Sequence, residues 1–178
     1  LLLSWDELEN LKLTDQQKEK FIKAAYGASE CIRGSVRLCI WVPDNLKEEV
    51  FQISSLKERF DRVSVMRSGS SKAATRDGAK NPYKFDEIRQ IGDEKTIIIP
   101  RHSSENRPYL PCDYFDKGKI ILDSAFAIYN PELYNLSVFS SKLHLVWIVT
   151  VCGKLKTDFR YSNTMGWNTF PVPTLTEK

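Results

Sequence analysis

Short apolar segments rich in β-branched residues recur along this chain and alternate with stretches of helical periodicity. Residues 36–42, 62–67, 96–100, 119–122 and 125–129 follow this pattern. Segments of this length and composition predict β-strands. They are far too short to cross a bilayer, which takes about 20 apolar residues in a helix, so we expect no membrane partner.

The stretches between these segments predict helices. A capping-box pattern at Thr14 and Gln17 precedes a helix that ends before Gly27. Amphipathic spacing predicts two more helices, over 44–60 and 136–152. Strands and helices in this order predict an α+β fold, a single compact domain in which a mixed or mostly antiparallel sheet is flanked by about three helices.

Charge and cysteine content narrow the function only slightly. The net charge of +3 is compatible with a polyanionic partner and too small to establish one. The four cysteines show no CxxC pair, which argues against a metal site and a redox dithiol and favours a reducing cytoplasm. Because the chain begins at Leu1 without methionine, we expect a piece of a longer protein.

The segment 153–162 reads as an extended strand with two different faces. Alternation places Lys156, Asp158, Arg160 and Ser162 on one face, and Leu155, Thr157, Phe159 and Tyr161 on the other. The first face offers the donors and acceptors that read base edges in a DNA major groove. The second is predicted to pack on a core. A solvated strand with a surface ion pair is the alternative interpretation.

A second polar region, 67–84, is predicted to be a mobile basic loop. It carries five basic residues against a single acidic one, which favours contact with phosphate, while a solvated loop without a ligand is an equal alternative. The basic residues considered for phosphate contact are Arg67, Lys72 and Arg76.

Several catalytic chemistries find no support in the sequence. No GxGxxG or GxxxxGK loop occurs, so binding of a dinucleotide or ATP in a standard glycine-rich loop is not expected. Asn81-Pro82-Tyr83 lacks one proline of the amino-methyltransferase tetrapeptide and is interpreted as a turn. His144 is predicted to be structural, and His102 to lie exposed in a polar loop. These features favour a binding module over a self-sufficient enzyme.

The order of several motifs resembles the target recognition domain of MmeI-like type II restriction-modification proteins. The matching segments are 37–41 (RLCIW), 86–89 (DEIR), 99–105 (IPRHSSE) with Arg107 and Tyr109, 153–162 (GKLKTDFRYS) and 168–173 (NTFPVP). In this interpretation residues 1–20 connect to a methyltransferase domain, residues 21–173 form the DNA target recognition domain, and residues 174–178 are a tail.

The resemblance implies recognition of a short sequence in double-stranded DNA for a covalently linked catalytic domain. That domain is expected to methylate adenine at N6 with S-adenosylmethionine, with or without an attached endonuclease, in the cytoplasm of a prokaryote. This chain alone is expected to be a monomer without a cofactor, a metal or catalytic activity.

The resemblance indicates one pair of site residues, and residue position and chemistry indicate others. Lys156 and Asp158 are the positions of a specificity pair, and residue chemistry predicts that they read a G·C base pair. Arg160, Asp123 and Ser124 are further candidates for base contacts. Arg101, Ser103, Ser104 and Arg107 are candidate phosphate contacts, since Arg and Ser commonly bind the DNA backbone.

Two other functions remain open at this point. The same polar strand suits an RNA-binding or protein-interaction module. A small hydrolase that uses His102 with Glu105 and Ser103 is a third hypothesis, and no recognisable nucleophile constellation supports it.

Overall fold

The computed structural model describes residues 1–172, which combine short helices with antiparallel sheets. The strands are β1 (Leu2–Leu3), β2 (Ile22–Tyr26), β3 (Arg37–Ile40), β4 (Thr96–Pro100), β5 (His102–Ser103), β6 (Asp113–Phe115), β7 (Lys119–Ile121), β8 (Ala125–Tyr129), β9 (Lys154–Leu155) and β10 (Asp158–Arg160). The α-helices are α1 (Trp5–Asn10), α2 (Asp15–Phe21), α3 (Ala28–Arg33), α4 (Lys47–Phe51), α5 (Ser54–Ser68), α6 (Ala73–Asp77), α7 (Leu133–Phe139) and α8 (Lys142–Val151). The predicted α+β class is confirmed.

The chain divides into two compact units. The first comprises residues 1–25 and 36–93, and the second comprises residues 26–35 and 94–178, of which the structure describes those up to 172. The boundaries predicted at Pro173 and for the tail 174–178 therefore lie outside the described residues.

The first unit is built around a small antiparallel sheet with the strand order β1-β3-β2. Leu3, Leu8, Leu11 and Leu13 belong to its apolar core together with Phe21, Ile40, Leu56 and Phe60. Residues 1–20 are thus part of the folded unit. Whether they also connect to a methyltransferase domain stays a prediction.

The second unit contains two three-stranded antiparallel sheets. In one, with the order β6-β4-β8, the central strand β4 is buried along its whole length. In the other, the order is β5-β10-β9. The apolar core of this unit includes Ile97, Ile99, Phe139, Ile148 and Tyr161.

Three of the predicted elements are wrong, two because tertiary contacts outweigh the local pattern and one because a helix cap interrupts the apolar periodicity. Residues 22–26 form β2 instead of extending a helix, since their backbone pairs with β3. Residues 62–67 lie within α5, where Ser64 donates a hydrogen bond to the carbonyl of Ala79. The predicted helix 136–152 is broken at Ser141, whose hydroxyl accepts from the amide of His144 and begins α8.

Two further predictions changed in detail. The helix expected over 44–60 is divided into a 3-10 turn, α4 and α5. The basic segment 67–84 contains α6 and is packed at its ends, with Pro82 and Tyr83 buried. Asn81 starts a turn to Lys84, as interpreted from the sequence. Among residues 1–172, no helix is long and apolar enough to cross a membrane.

Candidate nucleic-acid interface

The segment 153–162 forms a hairpin and the start of a loop, not one continuous strand. In the hairpin, Leu155 is the partner of Asp158, and Lys154 is the partner of Phe159. Lys156 and Thr157 form the two-residue turn between β9 and β10, with Lys156 at a φ of 57°. The turn interrupts the alternation that the sequence suggested.

This interruption changes which side chains share a face. Phe159 and Tyr161 are buried, as predicted. Leu155, predicted to pack on the core, is 55% exposed, so that prediction is wrong. Because directly opposed residues of antiparallel strands project on the same side, Leu155 lies on the face of Asp158.

Strand β5 extends this face from the other side of β10. Arg160 is the partner of His102, and Phe159 is the partner of Ser103. Phe159 and Ser103 are buried on the inner side, at 8% and 5% exposure. We call the opposite side the outer face. It carries Leu155, Asp158, Arg160 and His102, all of them exposed.

The charged side chains at this site are available to a partner. Within residues 1–172, Lys156, Asp158 and Arg160 make no side-chain hydrogen bond or ion pair. Lys154 differs, since its ammonium lies 5.6 Å from the centroid of the Phe159 ring. An unpaired exposed row of donor, acceptor and donor can form hydrogen bonds to base edges.

The backbone of Arg101 joins the hairpin to the turn at 123–124. Its amide donates to the carbonyl of Ser124 over 3.1 Å, and its carbonyl accepts from the amide of Tyr161 over 2.9 Å. Candidate residues from three separate parts of the sequence are therefore neighbours. The Arg101 guanidinium lies 4.8 Å from the centroid of Phe126, and its Nε is buried without a hydrogen-bond partner.

The two residues of the 123–124 turn have different surroundings. The Ser124 hydroxyl accepts a hydrogen bond of 3.0 Å from the amide of Ala28, so it holds the turn in place. Both residues are exposed. Of the two, Asp123 is the residue whose side chain is not used to hold the turn in place.

The polar loop after β5 contains a tight turn. The amide of Arg107 donates to the Ser104 carbonyl over 3.3 Å, and the amide of Asn106 donates to the Ser104 hydroxyl over 3.3 Å. Ser103 does not belong with these candidates. Its hydroxyl is buried and has no hydrogen-bond partner, so its predicted contact with phosphate is not compatible with this conformation.

The hydrolase hypothesis fails on the same geometry. His102 and Ser103 are consecutive in β5 and therefore project to opposite faces. The Ser103 hydroxyl is enclosed while His102 is exposed. The imidazole is thus not placed to activate this hydroxyl.

The basic candidates of the first unit also separate into structural and exposed groups. Arg67 is only 8% exposed and donates to the carbonyls of Gly78, Asn81 and Lys84 at 2.7–3.2 Å. The guanidinium thus stabilises the fold, and the predicted contact of Arg67 with phosphate is replaced by this structural role. Lys72 and Arg76 are exposed, although Arg76 also donates to the Ser70 and Ser71 carbonyls.

A buried aromatic cluster supports the hairpin from its inner side. His144 is completely buried, and its Nε2 lies 3.3 Å from the Tyr161 hydroxyl. The rings of Phe139, Trp167 and Phe170 lie 4.6–6.0 Å from its centroid. Burial lowers the pKa of His144 to about 4. The predictions of a structural role for His144 and a packing role for Tyr161 are consistent with this arrangement.

Comparison with known proteins identifies a family and similar, longer proteins. The family model described as "MmeI, target recognition domain" matches residues 1–174. DNA methyltransferase A of Bacillus subtilis (strain 168) is 32% identical over 158 residues, which is 89% of this chain and 18% of that protein. A solved structure of the type IIL restriction-modification enzyme MmeI in complex with DNA has a TM-score of 0.88 and 29% identity, over 99% of this chain and 23% of the MmeI chain. The chain thus spans less than a quarter of either relative.

Proposed function

The chain belongs to the MmeI target recognition domain family, and on this premise we propose that it recognises a short asymmetric sequence in double-stranded DNA. The observation that carries the proposal is the hairpin turn with the outer face beside it. There Lys156, Asp158 and Arg160 are exposed and unpaired within the described residues. The major groove admits a β-ribbon, and this ribbon presents the donors and acceptors that base edges require.

In this proposal, Lys156 and Asp158 read one G·C base pair. The ammonium of Lys156 donates to guanine O6 and N7, and the carboxylate of Asp158 accepts from the N4 amino group of cytosine. The position of Lys156 in a tight turn supports this role, because a turn brings its side chain to the end of the ribbon. Arg160 and Asp123 are the next candidates for base contacts.

We assign backbone contacts to exposed or partly exposed basic and hydroxyl side chains. These are Arg101, Ser104 and Arg107 in the second unit and Lys72 and Arg76 in the first. Contacts of this kind position a protein on the duplex without reading its sequence. They also make affinity fall steeply as salt rises.

We further propose that the chain serves a linked DNA methyltransferase domain. A methyltransferase relative and a restriction-modification relative, each several times longer than the matched segment, support this proposal. The expected reaction is methylation of adenine at N6, with S-adenosylmethionine bound by that other domain. This chain would supply recognition and no catalytic residue.

The function is tested by selecting sequences from a randomised duplex library with the 178-residue chain at low ionic strength. The double variant Lys156→Glu with Asp158→Arg keeps the net charge and exchanges donor and acceptor. We expect one selected G·C pair to become C·G, since Glu accepts from cytosine and Arg donates to guanine. An unchanged preference in the double variant would refute the assignment.

Two controls accompany this selection. Lys57→Glu with Asp61→Arg makes the same exchange at exposed positions of α5 and should leave the preference unchanged. A parallel titration with single-stranded RNA separates DNA recognition from RNA binding. Tighter binding to RNA than to every duplex would favour the alternative function.

A further inference from the structure

The outer face contains two residues to which neither the resemblance nor the sequence pattern assigned a contact with a base, Leu155 and His102. Leu155 is opposite Asp158 in one cross-strand pair, and His102 is opposite Arg160 in the next. Opposed Cβ atoms in an antiparallel pair lie about 4.5–5.5 Å apart. A DNA duplex that contacts Asp158 and Arg160 on the outer face therefore also comes within reach of Leu155 and His102.

The exposure of Leu155 is a consequence of the hairpin and not of a poorly packed core. Its neighbours on the inner side, Phe159 and Ser103, are enclosed. Leu155 points away from them at 55% exposure, between a turn that carries Lys156 and a strand that carries Asp158. One apolar side chain thus lies within a row of charged ones.

The major groove offers one apolar group to such a side chain, the 5-methyl group of thymine. His102 offers a ring that donates or accepts hydrogen bonds, which suits the N7 acceptor of a purine. Both residues are exposed, and neither is required to complete the inner core.

We propose that Leu155 and His102 are specificity-determining residues, with Leu155 in contact with a thymine methyl group and His102 in contact with a purine edge. This inference rests on the proposed function, because it requires the outer face to enter the major groove. It extends the recognised sequence beyond the pair assigned to Lys156 and Asp158.

The strand geometry also sets the spacing of the two contacts. Asp158 and Arg160 are two residues apart in β10, so the two cross-strand pairs are separated by roughly 6.6 Å. Successive base pairs rise by about 3.4 Å. With the ribbon lying along the groove, the positions read by Leu155 and His102 are about two base pairs apart.

The test uses the duplex selected by the unsubstituted chain and compares thymine with uracil at each position by fluorescence anisotropy. Uracil lacks only the methyl group and keeps every hydrogen bond. We expect the unsubstituted chain to bind the thymine duplex about fourfold more tightly at one position, the ratio for one apolar carbon leaving water. Leu155→Ala should abolish this ratio, and Leu155→Met should retain most of it.

Leu143→Ala is the matched control for Leu155→Ala, because Leu143 is another exposed leucine, on α8, at 69% exposure against 55% for Leu155. It should leave the thymine preference intact. For His102, the selection is repeated with His102→Ala, which should relax a purine preference about two base pairs from the thymine position.

The outcomes distinguish this inference from the function on which it rests. Sequence-selective binding by the unsubstituted chain, with the same thymine-to-uracil ratio in Leu155→Ala, would overturn the role of Leu155 and leave the proposed function standing. A library profile unchanged by His102→Ala would overturn the role of His102. Failure of the unsubstituted chain to prefer any duplex would overturn the proposed function and this inference with it.

Discussion

The Ser124 hydroxyl accepts a hydrogen bond of 3.0 Å from the backbone amide of Ala28, which joins residues 96 positions apart. Asp123 precedes this serine and is exposed. The position of one candidate base-reading residue therefore depends on a contact with the start of α3.

Gly27→Ala tests this dependence. A Cβ atom at Gly27 would overlap the Ser124 hydroxyl oxygen, so the serine must move and its hydrogen bond to Ala28 is lost. We expect the free energy of unfolding to fall by roughly 1–3 kcal/mol and the base preference due to Asp123 to weaken. Denaturant unfolding and duplex selection measure the two effects.

Gly69→Ala is the matched control, because an added Cβ there has ordinary contacts at 3.8 Å. If Gly27→Ala unfolds at the same denaturant concentration as Gly69→Ala and selects the same sequences, the Ser124 contact does not position the turn.

Substitutions of Arg67 and Arg76 are expected to have different effects on stability and on DNA binding, although both residues belong to the basic segment 67–84. Arg67→Ala leaves three backbone carbonyls without their donor, and we expect a loss of roughly 2–4 kcal/mol in unfolding free energy. Arg76→Ala, at an exposed position, should change stability by less than about 1 kcal/mol. It should instead reduce the slope of log affinity against log salt by about one.

Urea unfolding and salt titrations of duplex binding make this comparison. A stable Arg67→Ala variant with a reduced salt slope would restore Arg67 to the phosphate-binding residues and remove it from the structural ones.

His144 is expected to make the free energy of unfolding depend on pH in the acidic range. Its pKa is about 4 in the folded chain, because burial disfavours the charged ring, and about 6.5 when unfolded. Between these values the unfolded chain binds a proton that the folded chain does not, so stability falls as pH drops from 6.5 to 4. The loss from this group is about 3 kcal/mol in total.

His144→Phe removes the titrating ring while keeping its aromatic surroundings. Whatever its stability at neutral pH, its unfolding free energy should vary less between pH 6.5 and 4 than that of the unsubstituted chain. His102→Ala changes an exposed ring and serves as the control. Parallel curves for His144→Phe and the unsubstituted chain would contradict the assignment.

Lys156→Gly separates the turn from its side chain. Lys156 has a φ of 57°, a conformation that glycine adopts without strain. We expect the unfolding free energy to stay within about 1 kcal/mol of its original value, while discrimination at the predicted G·C pair falls by roughly 1–3 kcal/mol. Unfolding and anisotropy with matched and mismatched duplexes measure both.

Lys12→Gly is the control, since Lys12 has a similar φ of 49° in the first unit. It should be as stable and bind the same sequences as the unsubstituted chain. Equal discrimination by Lys156→Gly and Lys12→Gly would show that the Lys156 side chain reads no base.

The hairpin at 153–162 shows how far local pattern predicts this fold. Alternation correctly places Phe159 and Tyr161 inside and Asp158 and Arg160 outside, because the first three of these residues after the turn form β10 and Tyr161 follows it directly. It fails for Leu155, which precedes the turn. Two-residue hairpin turns are usually recognised by glycine or asparagine. Here the turn consists of Lys156 and Thr157, so the sequence gives no signal for it.

The segment 62–67 and the residue Arg67 show a different failure. A short β-branched run is compatible with strand or helix, and the choice here follows from distant carbonyls at Ala79, Gly78 and Lys84. Ser103 is similar, since its burial depends on β10 at residues 158–160. Spacing along the chain contains no information about partners so far apart.

From sequence alone came the α+β class and the strands β3, β4, β7 and β8, since each depends on periodicity within one segment. The order of motifs along the chain gave the family resemblance, and that resemblance, together with residue chemistry, led to the choice of Lys156, Asp158 and Arg160. Tertiary structure decided which residues share the outer face, where Leu155 and His102 lie beside Asp158 and Arg160. It also decided that the side chains of Arg67 and Ser103 are buried. The physical reason is that cross-strand pairing and buried hydrogen bonds join residues that are distant in sequence, and their free energies exceed the local preferences that a sequence displays.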